Sequence, residues 1–273
     1  MIGTQSRDLM DDQQFRQLLQ HLGFSWEGYR KVRKGVKKRI RRHMHDLGCQ
    51  NLTEYLLEID RNDETRHQCE RLMTVSISRF FRDRKLWEIL QTEILPELIE
   101  KNKGKLRVWS AGCASGEEAY SLKILWDVTT ASIDPVPDLE ITATDLNPAY
   151  LERARAGIYP ASSLRELPEP LRSAHFQAQA GGKLYALRAS LKEGITWQIH
   201  DLLSDPPGSQ FHLIFLRNNL LTYYGDEIKR SVLKKVIDHL STGGFLIIGS
   251  HETLPFEWHD LCPSSNLHYV FEK

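Results

Sequence analysis

The fold class depends on residues 108–122, VWSAGCASGEEAYSL. The apolar start predicts a buried strand, the small residues predict a tight turn, and the apolar periodicity that follows predicts a helix. Gly112 and Gly116 let the backbone turn sharply and approach a ligand closely, because they have no side chain. A phosphate-binding turn uses open amides and a lysine, whereas here Glu117 and Glu118 follow at once. The turn therefore suits ribose hydroxyls or a cationic ligand and disfavours phosphate.

Strand and helix patterns alternate after this turn. The strand patterns are LRVWSA, ITATDL, ITWQIHDL, FHLIFLRNNL and FLIIGS, with helix patterns between them. Such alternation predicts an α/β domain with a mostly parallel sheet, whose ligands bind beyond the carboxyl ends of the strands. Between residues 158 and 195 the alternation breaks at proline, serine and glycine clusters, which predicts a small insertion of two or three antiparallel strands.

The N-terminal quarter of the chain predicts helices alone. Apolar residues recur at helical spacing in four runs: 15–22, 29–47, 51–59 and 64–73. We therefore predict a helical domain over 1–75, a linker and helix over 76–104, and a sheet domain over 105–273, with the β insertion at about 162–192.

The second helical run is strongly basic. Between residues 28 and 45 it carries nine lysines and arginines and no acid, beside one apolar stripe. A charged helix face is usually only solvated. This face also suits an acidic partner helix, and the residues expected to dock it are Lys34, Lys38, Arg41 and Arg42. Nucleic acid is a less favoured partner, because the formal net charge of the chain is +0.

Composition limits the location and the chemistry. The chain has 273 residues, of which 41% are hydrophobic, enough for one large and one small domain. No apolar stretch reaches the length that a bilayer requires and no apolar signal core is present, so we expect a cytoplasmic protein without membrane insertion. The four cysteines form no CxxC pair and the histidines lack ligand spacing, so we expect neither disulfides nor a metal site.

Polar residues close three of the predicted strands: Asp145, Asp201, and Arg217 with Asn218. An acid after the second strand of a parallel sheet is placed to accept hydrogen bonds from ribose hydroxyls. A dinucleotide enzyme also meets that description, but its pyrophosphate needs a G-x-G-x-x-G turn, which AGCASGEE does not supply. A ligand with a ribose, a cationic group and no phosphate fits better, and S-adenosylmethionine is the common one.

Five segments together resemble the chemotaxis receptor methyltransferases, the CheR family. They are SISRFFRD (76–83), WSAGCASGEEAYSL (109–122), ATDLNPAYLERARAGIY (143–159), FHLIFLRNNLLTYY (211–224) and GGFLIIGSHETL (243–254). The basic helix also resembles the receptor-contacting helix of that family. The resemblance implies a class I S-adenosylmethionine methyltransferase fold, which is Rossmann-like, with a small helical N-terminal domain and an antiparallel β insertion. It implies methyl transfer to receptor glutamates, with S-adenosylhomocysteine as the product.

The resemblance also implies roles for single residues. The residues that match cofactor-contacting positions are Arg82, Glu117, Asp145, Arg217 and Asn218, and Gly112 lies in the same motif as Glu117. A glutamate acceptor is already ionised at neutral pH, so no catalytic base is expected. Arg82 and Arg217 are instead expected to orient carboxylates through charge-assisted hydrogen bonds.

The chain departs from the family pattern at a few positions of the expected site. Ser76 and Ser78 replace an asparagine and a threonine, Asp201 with Leu202 replaces Asn-Leu, and Thr222 replaces a tyrosine. A serine reaches less far than asparagine and lacks its amide donors, so cofactor affinity is expected to be lower. These departures keep two other hypotheses open. One is a regulatory module that binds the cofactor or its product, and the other is a methyltransferase for a small molecule or RNA.

Overall fold

The first five helices follow from their caps and their apolar spacing. They are α1 (Asp12–His21), α2 (Trp26–Tyr29), α3 (Arg33–Asp46), α4 (Leu52–Arg61) and α5 (Asp63–Met73) in a computed structural model that describes residues 10–102, 104–208, 210–264 and 266–273. Asp11 and Gln14 form a capping box at the start of α1, and Asn51 and Asn62 accept backbone N–H groups at the starts of α4 and α5. The described part of residues 1–75, with Thr222–Ile228, forms one unit.

The core of this helical unit collects the apolar residues that the sequence pattern singles out. Phe15, Tyr29, Ile40, Tyr55 and Met73 are each at most 2% exposed. The run predicted as one helix over 29–47 is divided, because α2 ends at Tyr29 and α3 begins at Arg33. Leu47, expected in the apolar stripe, lies beyond the end of α3 and is 39% exposed.

The remaining described residues, within 76–221 and 229–273, form the second unit. Its strands are β1 (Lys105–Ala111), β2 (Asp138–Asp145), β3 (Ile158–Pro160), β4 (Phe176–Gln179), β5 (Leu184–Leu187), β6 (Ile195–Ile199), β7 (Phe211–Leu216), β8 (Leu240–Ile248), β9 (Cys262–Pro263) and β10 (Val270–Glu272). Further helices are α6 (Arg84–Ile89), α7 (Leu95–Lys101), α8 (Glu117–Thr129), α9 (Pro148–Ala156), α10 (Glu169–His175), α11 (Leu220–Tyr223) and α12 (Asp226–Asp238). A π-helical segment, Leu90–Ile94, joins α6 to α7, and α11 and α12 each include residues of the segment 222–228.

Seven strands form the main sheet in the order β6-β2-β1-β7-β8-β10-β9. The five strands from β6 to β8 are parallel, and β10 is antiparallel to both of its neighbours. The middle of β1 pairs on both sides, with Trp109 opposite Thr142 in β2 and Ile214 in β7. The turn that follows β1 therefore lies at the carboxyl edge of the sheet, between the ends of β2 and β7.

A second, smaller sheet has the order β3-β5-β4 and is antiparallel. It begins at Ile158, ahead of the expected boundary near 162, because the chain turns into a strand directly after α9. Gly157, in the left-handed region at φ 64°, ends α9 and accepts the amide of Leu187 at the end of β5. Across the described ranges no helix is both long enough and apolar enough to cross a membrane.

Candidate cofactor site

The turn after β1 is fastened to the end of β2 by its backbone. The amides of Gly112 and Cys113 both donate to the carbonyl of Thr144 at 2.8 Å. Gly112 has a φ of 77°, and a Cβ there would overlap the side-chain amide of Asn219. The sequence suggests that this glycine admits a ligand, but in the structure it admits Asn219, which donates to the carbonyl of Ala111.

Asp145 ends β2 and is 8% exposed. Its Oδ2 accepts the amide of Ala114 at 2.9 Å, and its Oδ1 accepts the amide of Asn147 at 2.9 Å. Burial raises the pKa of this carboxyl, and the two amides oppose the rise. A carboxylate offers about four lone-pair sites, so the geometry leaves Asp145 able to accept from ligand hydroxyls as well.

Glu117 is the first residue of α8. Its side chain is 5% exposed, and among the described residues its Oε2 is buried without a hydrogen-bond partner. Burial raises the pKa of Glu117, while its own backbone amide, the hydroxyls of Ser78 and Ser163 and the charge of Arg153 lower it. An unpaired buried carboxylate oxygen is costly, so the site fits a ligand that brings a donor, such as an ammonium or hydroxyl group of S-adenosylmethionine.

The segment Ser76–Asp83 brings Ser78 to Glu117 and is anchored by two aromatic residues. Phe80 is fully buried and meets the rings of Tyr159 and Phe176 edge-on, with centroids 4.8 and 5.0 Å away. The amide of Phe81 donates to the hydroxyl of Ser121 in α8 at 2.9 Å. Ser76, like Ser78, is half-buried. The two phenylalanines are thus core residues that hold the serines in place.

Arg82 keeps most of its guanidinium available. One nitrogen, Nη1, donates to the carbonyl of Ile77 at 2.8 Å, and the Arg82 carbonyl accepts the indole N–H of Trp87 at 2.8 Å. The side chain is half-buried, and it makes no ion pair with any residue that the structure describes. Arg82 can therefore receive a carboxylate.

Arg217 pairs with two carboxylates of the chain itself. Its side chain is 5% exposed, its Nη1 donates to Glu118 Oε2 at 3.0 Å, and its Nη2 pairs with the carboxylate of Asp83. Glu118 is held in turn by the hydroxyl of Ser110 at 2.7 Å. The two ion pairs tie β7 to α8 and to the residues after Phe81, while Nε of Arg217 is buried without a hydrogen-bond partner among the described residues. The expected role of Arg217 in orienting a carboxylate stays a prediction.

Asn218 follows Arg217 in the left-handed region, at φ 55°. Its amide donates to Glu252 Oε2 at 2.9 Å, and the same oxygen accepts the amide of Gly249 at 2.7 Å. A Cβ on Gly249 would lie 2.5 Å from the side-chain nitrogen of Asn218, so the asparagine side chain lies against the end of β8.

Asp201 and Leu202 follow β6 and are both half-buried. Asp201 forms a local turn, in which its Oδ1 accepts the amide of Leu203 and its carbonyl accepts the amide of Ser204, both at 2.9 Å. The amide of His200 donates to the carbonyl of Asp145 at 3.1 Å. The structure therefore brings the ends of β6, β2, β1 and β7 to one edge of the sheet, with the expected cofactor residues among them.

The four expected docking residues on α3 differ in exposure. Lys34, Lys38 and Arg42 are exposed, whereas Arg41 is half-buried and donates to the carbonyl of Met10 at 2.7 Å. Arg41 therefore contributes to the fold of the helical unit. The exposed basic residues on α3 and just before it that make no ion pair with a described residue are Lys31, Lys34, Lys38 and Arg42.

Sequence reasoning gave no role to several residues at this edge of the sheet. They are Asp83, Glu118 as a partner of Arg217, Ser163, Asn219 and Glu252. Four of the five lie inside segments already quoted: Asp83 in SISRFFRD, Glu118 in WSAGCASGEEAYSL, Asn219 in FHLIFLRNNLLTYY and Glu252 in GGFLIIGSHETL, whereas Ser163 lies outside them. Their position in or beside these motifs was the one sequence feature that could have indicated a role, because no sequence pattern shows which distant group a side chain contacts.

Comparison with known proteins gives one consistent family. Residues 76–270 match the family model described as CheR methyltransferase, SAM binding domain. The chain is 39% identical over 183 residues to a chemotaxis protein methyltransferase of Listeria innocua, covering 67% of each protein. It is 32% identical over 225 residues to chemotaxis protein methyltransferase 1 of Pseudomonas aeruginosa, covering 80% of this chain and 81% of that protein.

Among solved structures, the backbone overlaps that of the N-methyltransferase NodS of Bradyrhizobium japonicum in complex with S-adenosyl-l-homocysteine. The TM-score is 0.34 at 16% identity, over 62% of this chain and 63% of that chain, a distant likeness that does not bear on the substrate. The expected class I methyltransferase fold and the S-adenosylmethionine cofactor are confirmed, because the family match runs from residue 76 to residue 270 and so includes the main sheet as far as the first residue of β10.

Proposed function

This chain belongs to the CheR methyltransferase family, and we propose that it transfers the methyl group of S-adenosylmethionine to glutamate carboxylates of a chemoreceptor-like protein. The observation that carries the proposal is Oε2 of Glu117 at the carboxyl edge of the sheet, which is buried and has no hydrogen-bond partner among the described residues. It lies within the matched segment 76–270, and it calls for a donor that a cationic ligand with hydroxyl groups brings.

The residues that would hold the cofactor are on four strand ends and one covering segment. Glu117 and Asp145 would accept its N–H and O–H donors, and Ser76 and Ser78 would cover it beside Glu117. Asp201, Leu202 and Asn218 would line the rest of the cofactor site. When bound, the cofactor supplies an electrophilic methyl group on a positively charged sulfur.

The protein's own contribution is positioning. The acceptor glutamate has a reference pKa near ~4.3, so it is ionised at neutral pH and no side chain has to remove a proton. Arg82, whose guanidinium makes no ion pair with a described residue, would orient the acceptor carboxylate. Holding two reactants in line contributes on the order of 7 to 11 kcal/mol in favourable cases.

The acceptor would dock through the basic face of α3 and the residues before it. Lys34, Lys38 and Arg42 are exposed and make no ion pair with a described residue, whereas Arg33 and Lys37 of the same helix pair with Asp12. A row of exposed bases on one helix favours an acidic helical partner. The four free cysteines support a reducing compartment, and we place the reaction in the cytoplasm.

The test is incubation of the purified protein with methyl-labelled S-adenosylmethionine and the signalling-domain helices of a receptor. We expect base-labile methyl esters on receptor glutamates, and none when those glutamates are replaced by alanine. Cofactor binding without any methyl ester would overturn the proposal in favour of a regulatory module. Base-stable label, or label in RNA, would overturn it in favour of a different acceptor class.

A further inference from the structure

The antiparallel insertion returns to the turn after β1 as soon as it begins. Gly157 ends α9, and two residues later the hydroxyl of Tyr159 donates to the carbonyl of Ser115 at 2.8 Å. Ser115 lies between Ala114, at φ 50°, and Gly116, at φ 87°. A non-glycine residue is unfavourable in the left-handed region, so this part of the turn depends on contacts that hold it. The hydroxyl of Tyr159 supplies one such contact at the centre of the turn.

The hydroxyl of Tyr159 keeps its proton at neutral pH. Tyr159 is 2% exposed, and its burial, together with the charge of Glu117, raises the pKa of the hydroxyl well above its ordinary value. No backbone amide of the described residues donates to the carbonyl of Ser115. Removal of the hydroxyl would therefore leave that carbonyl without its donor and release the backbone of the turn.

The ring of Tyr159 supports the segment that covers the site. It meets the ring of Phe80 edge-on, with centroids 4.8 Å apart. The amide of Phe80 donates to the carbonyl of Ser163, four residues after Tyr159, at 3.0 Å. Phe80 lies between Ser78 and Arg82, two of the expected site residues. The start of the insertion thus holds the covering segment through a ring and through a backbone hydrogen bond.

Ser163 lies beside the acid of the site and is 8% exposed. Burial raises the pKa of Glu117, and the hydroxyl of Ser163 is one of the groups that lower it. A hydroxyl that donates to a carboxylate favours the ionised form, which is the form that a cationic ligand needs. Tyr159 and Ser163 therefore act on the same turn from one short stretch of the insertion, the first at Ser115 and the second at Glu117.

We propose that Tyr159 and Ser163, at the start of the antiparallel insertion, are positioning residues for the cofactor site. Tyr159 holds the backbone of the turn at Ser115, and Ser163 holds the covering segment and orients the carboxylate of Glu117. The inference rests on the proposed function in taking residues 112–117 as the cofactor site. It gives the insertion, which the sequence pattern predicts only as added strands, a part in binding the cofactor.

The test compares Tyr159→Phe with Tyr120→Phe. Tyr120 is also buried, and its hydroxyl donates to the carbonyl of Ala154 in α9 at 2.9 Å. Each substitution keeps the ring and removes one hydroxyl that donates to a backbone carbonyl, so the two variants are a matched pair. For Tyr159→Phe we expect the Kd for S-adenosylmethionine to rise about threefold to tenfold, as the loss of one hydrogen bond implies, with the acceptor KM changed less than about twofold. Tyr120→Phe should leave both constants within about twofold of the wild type.

Folding is checked in the same samples by urea denaturation, and binding is measured where both variants are fully folded. A folded Tyr159→Phe whose cofactor Kd equals that of Tyr120→Phe would overturn the inference. If Tyr159→Phe does not fold, Ser163→Ala replaces it, with the exposed neighbour Ser162→Ala as its control. Ser163→Ala should then raise the cofactor Kd about threefold to tenfold over that of Ser162→Ala, and equal values would overturn the inference.

Failure of the proposed function is recognisable separately. If the wild type makes no methyl ester, the cofactor Kd of the variants still decides the inference. If the wild type binds no cofactor, hydrogen exchange decides it. The amides of Ala114 and Gly116, which both donate hydrogen bonds within the described residues, should exchange faster in Tyr159→Phe than in Tyr120→Phe. Equal exchange at both amides would then overturn it.

Discussion

The amide of Ala114 donates to Oδ2 of Asp145 at 2.9 Å, so the acid that ends β2 also fixes the turn after β1. Its other oxygen accepts the amide of Asn147, which begins the next helical segment. One carboxylate therefore shapes two loops at the carboxyl edge of the sheet, and its remaining lone pairs can accept from ligand hydroxyls.

Asp145→Asn should weaken cofactor binding about tenfold to hundredfold, because a hydrogen bond to a charged group contributes roughly 1.5 to 3 kcal/mol. The new NH₂ group also faces a backbone donor, either Ala114 or Asn147, where the carboxylate had an acceptor. Calorimetric titration with S-adenosylmethionine measures the loss. Asp201→Asn is the control, since its Oδ1 can still accept the amide of Leu203 and binding should be at least as tight as in the wild type. A Kd for Asp145→Asn within twofold of the wild type would contradict the assignment.

Cofactor affinity should fall as the pH decreases through the pKa of Glu117. Burial raises that pKa, so the free protein takes up a proton there at a higher pH than an exposed glutamate does. A cationic ligand favours the ionised form, so binding releases the proton and affinity is complete only above the raised pKa. Titrations from about pH 8 to about pH 5 should show this dependence in the wild type. In Glu117→Gln the affinity should be lower and should depend less on pH.

The same residue should couple stability to pH in the opposite direction. A carboxyl whose folded pKa is raised contributes stability that is present below the unfolded pKa and is lost as the pH rises through the folded pKa. Glu117→Gln should therefore raise the free energy of unfolding at neutral pH, and the gain should vanish in acid. Glu193→Gln, at an exposed position, should leave the urea midpoint unchanged at both pH values. No gain at neutral pH for Glu117→Gln would mean that the carboxylate is already compensated in the free protein.

Arg217→Met should destabilise the fold by about 3 to 5 kcal/mol, because it leaves two partly buried carboxylates, those of Glu118 and Asp83, without their cation. Urea denaturation measures the loss. Arg172→Met removes a partner from the exposed pair with Glu169 and should cost only about 0 to 1 kcal/mol. An acceptor-orienting role for Arg217 would instead leave the stability intact and raise the acceptor KM, and that outcome would reject the bracing role.

Reversing the charges of Lys34, Lys38 and Arg42 together should raise the acceptor KM about tenfold or more while kcat and the cofactor Kd stay unchanged. The wild-type KM should rise with salt, since exposed charges are screened over about 8 to 10 Å near physiological ionic strength. The matched control reverses three exposed bases elsewhere on the chain: Arg165, Lys183 and Lys234. Equal effects of the two triple variants on the acceptor KM would show that binding of the acceptor depends on the net charge of the protein and not on the basic face of α3.

Much of the site was visible in the sequence because its signals are local. The small residues of AGCASGEE and the positive φ values of Gly112 and Gly116 belong to one turn, and the acid after ITAT ends its strand whatever lies around it. Alternation of strand and helix likewise predicts which residues reach the carboxyl edge of the sheet, because parallel strands all end there. For that reason the sequence alone predicts Glu117 and Asp145 as site residues.

The sequence does not predict which distant groups the site residues contact. Arg217 lies 99 residues from Glu118 and 134 from Asp83 along the chain, and no pattern in RNN indicates that both carboxylates reach its guanidinium. Arg41 is indistinguishable in sequence from Arg42, yet one donates to Met10 and the other is exposed. In each case a side chain's role depends on burial and on through-space neighbours, which the chain's periodicity does not encode.

The sequence by itself determined the strand, turn and helix of residues 108–122, because backbone preference and apolar periodicity act over a few residues. It also determined the family and which residues lie at the carboxyl ends of the parallel strands. The tertiary structure alone decided that Gly112 makes room for Asn219, that Arg217 pairs with Glu118 and Asp83, and that Thr222–Ile228 joins the helical unit. Those outcomes depend on excluded volume and on ion pairing between groups that meet only when the chain has folded.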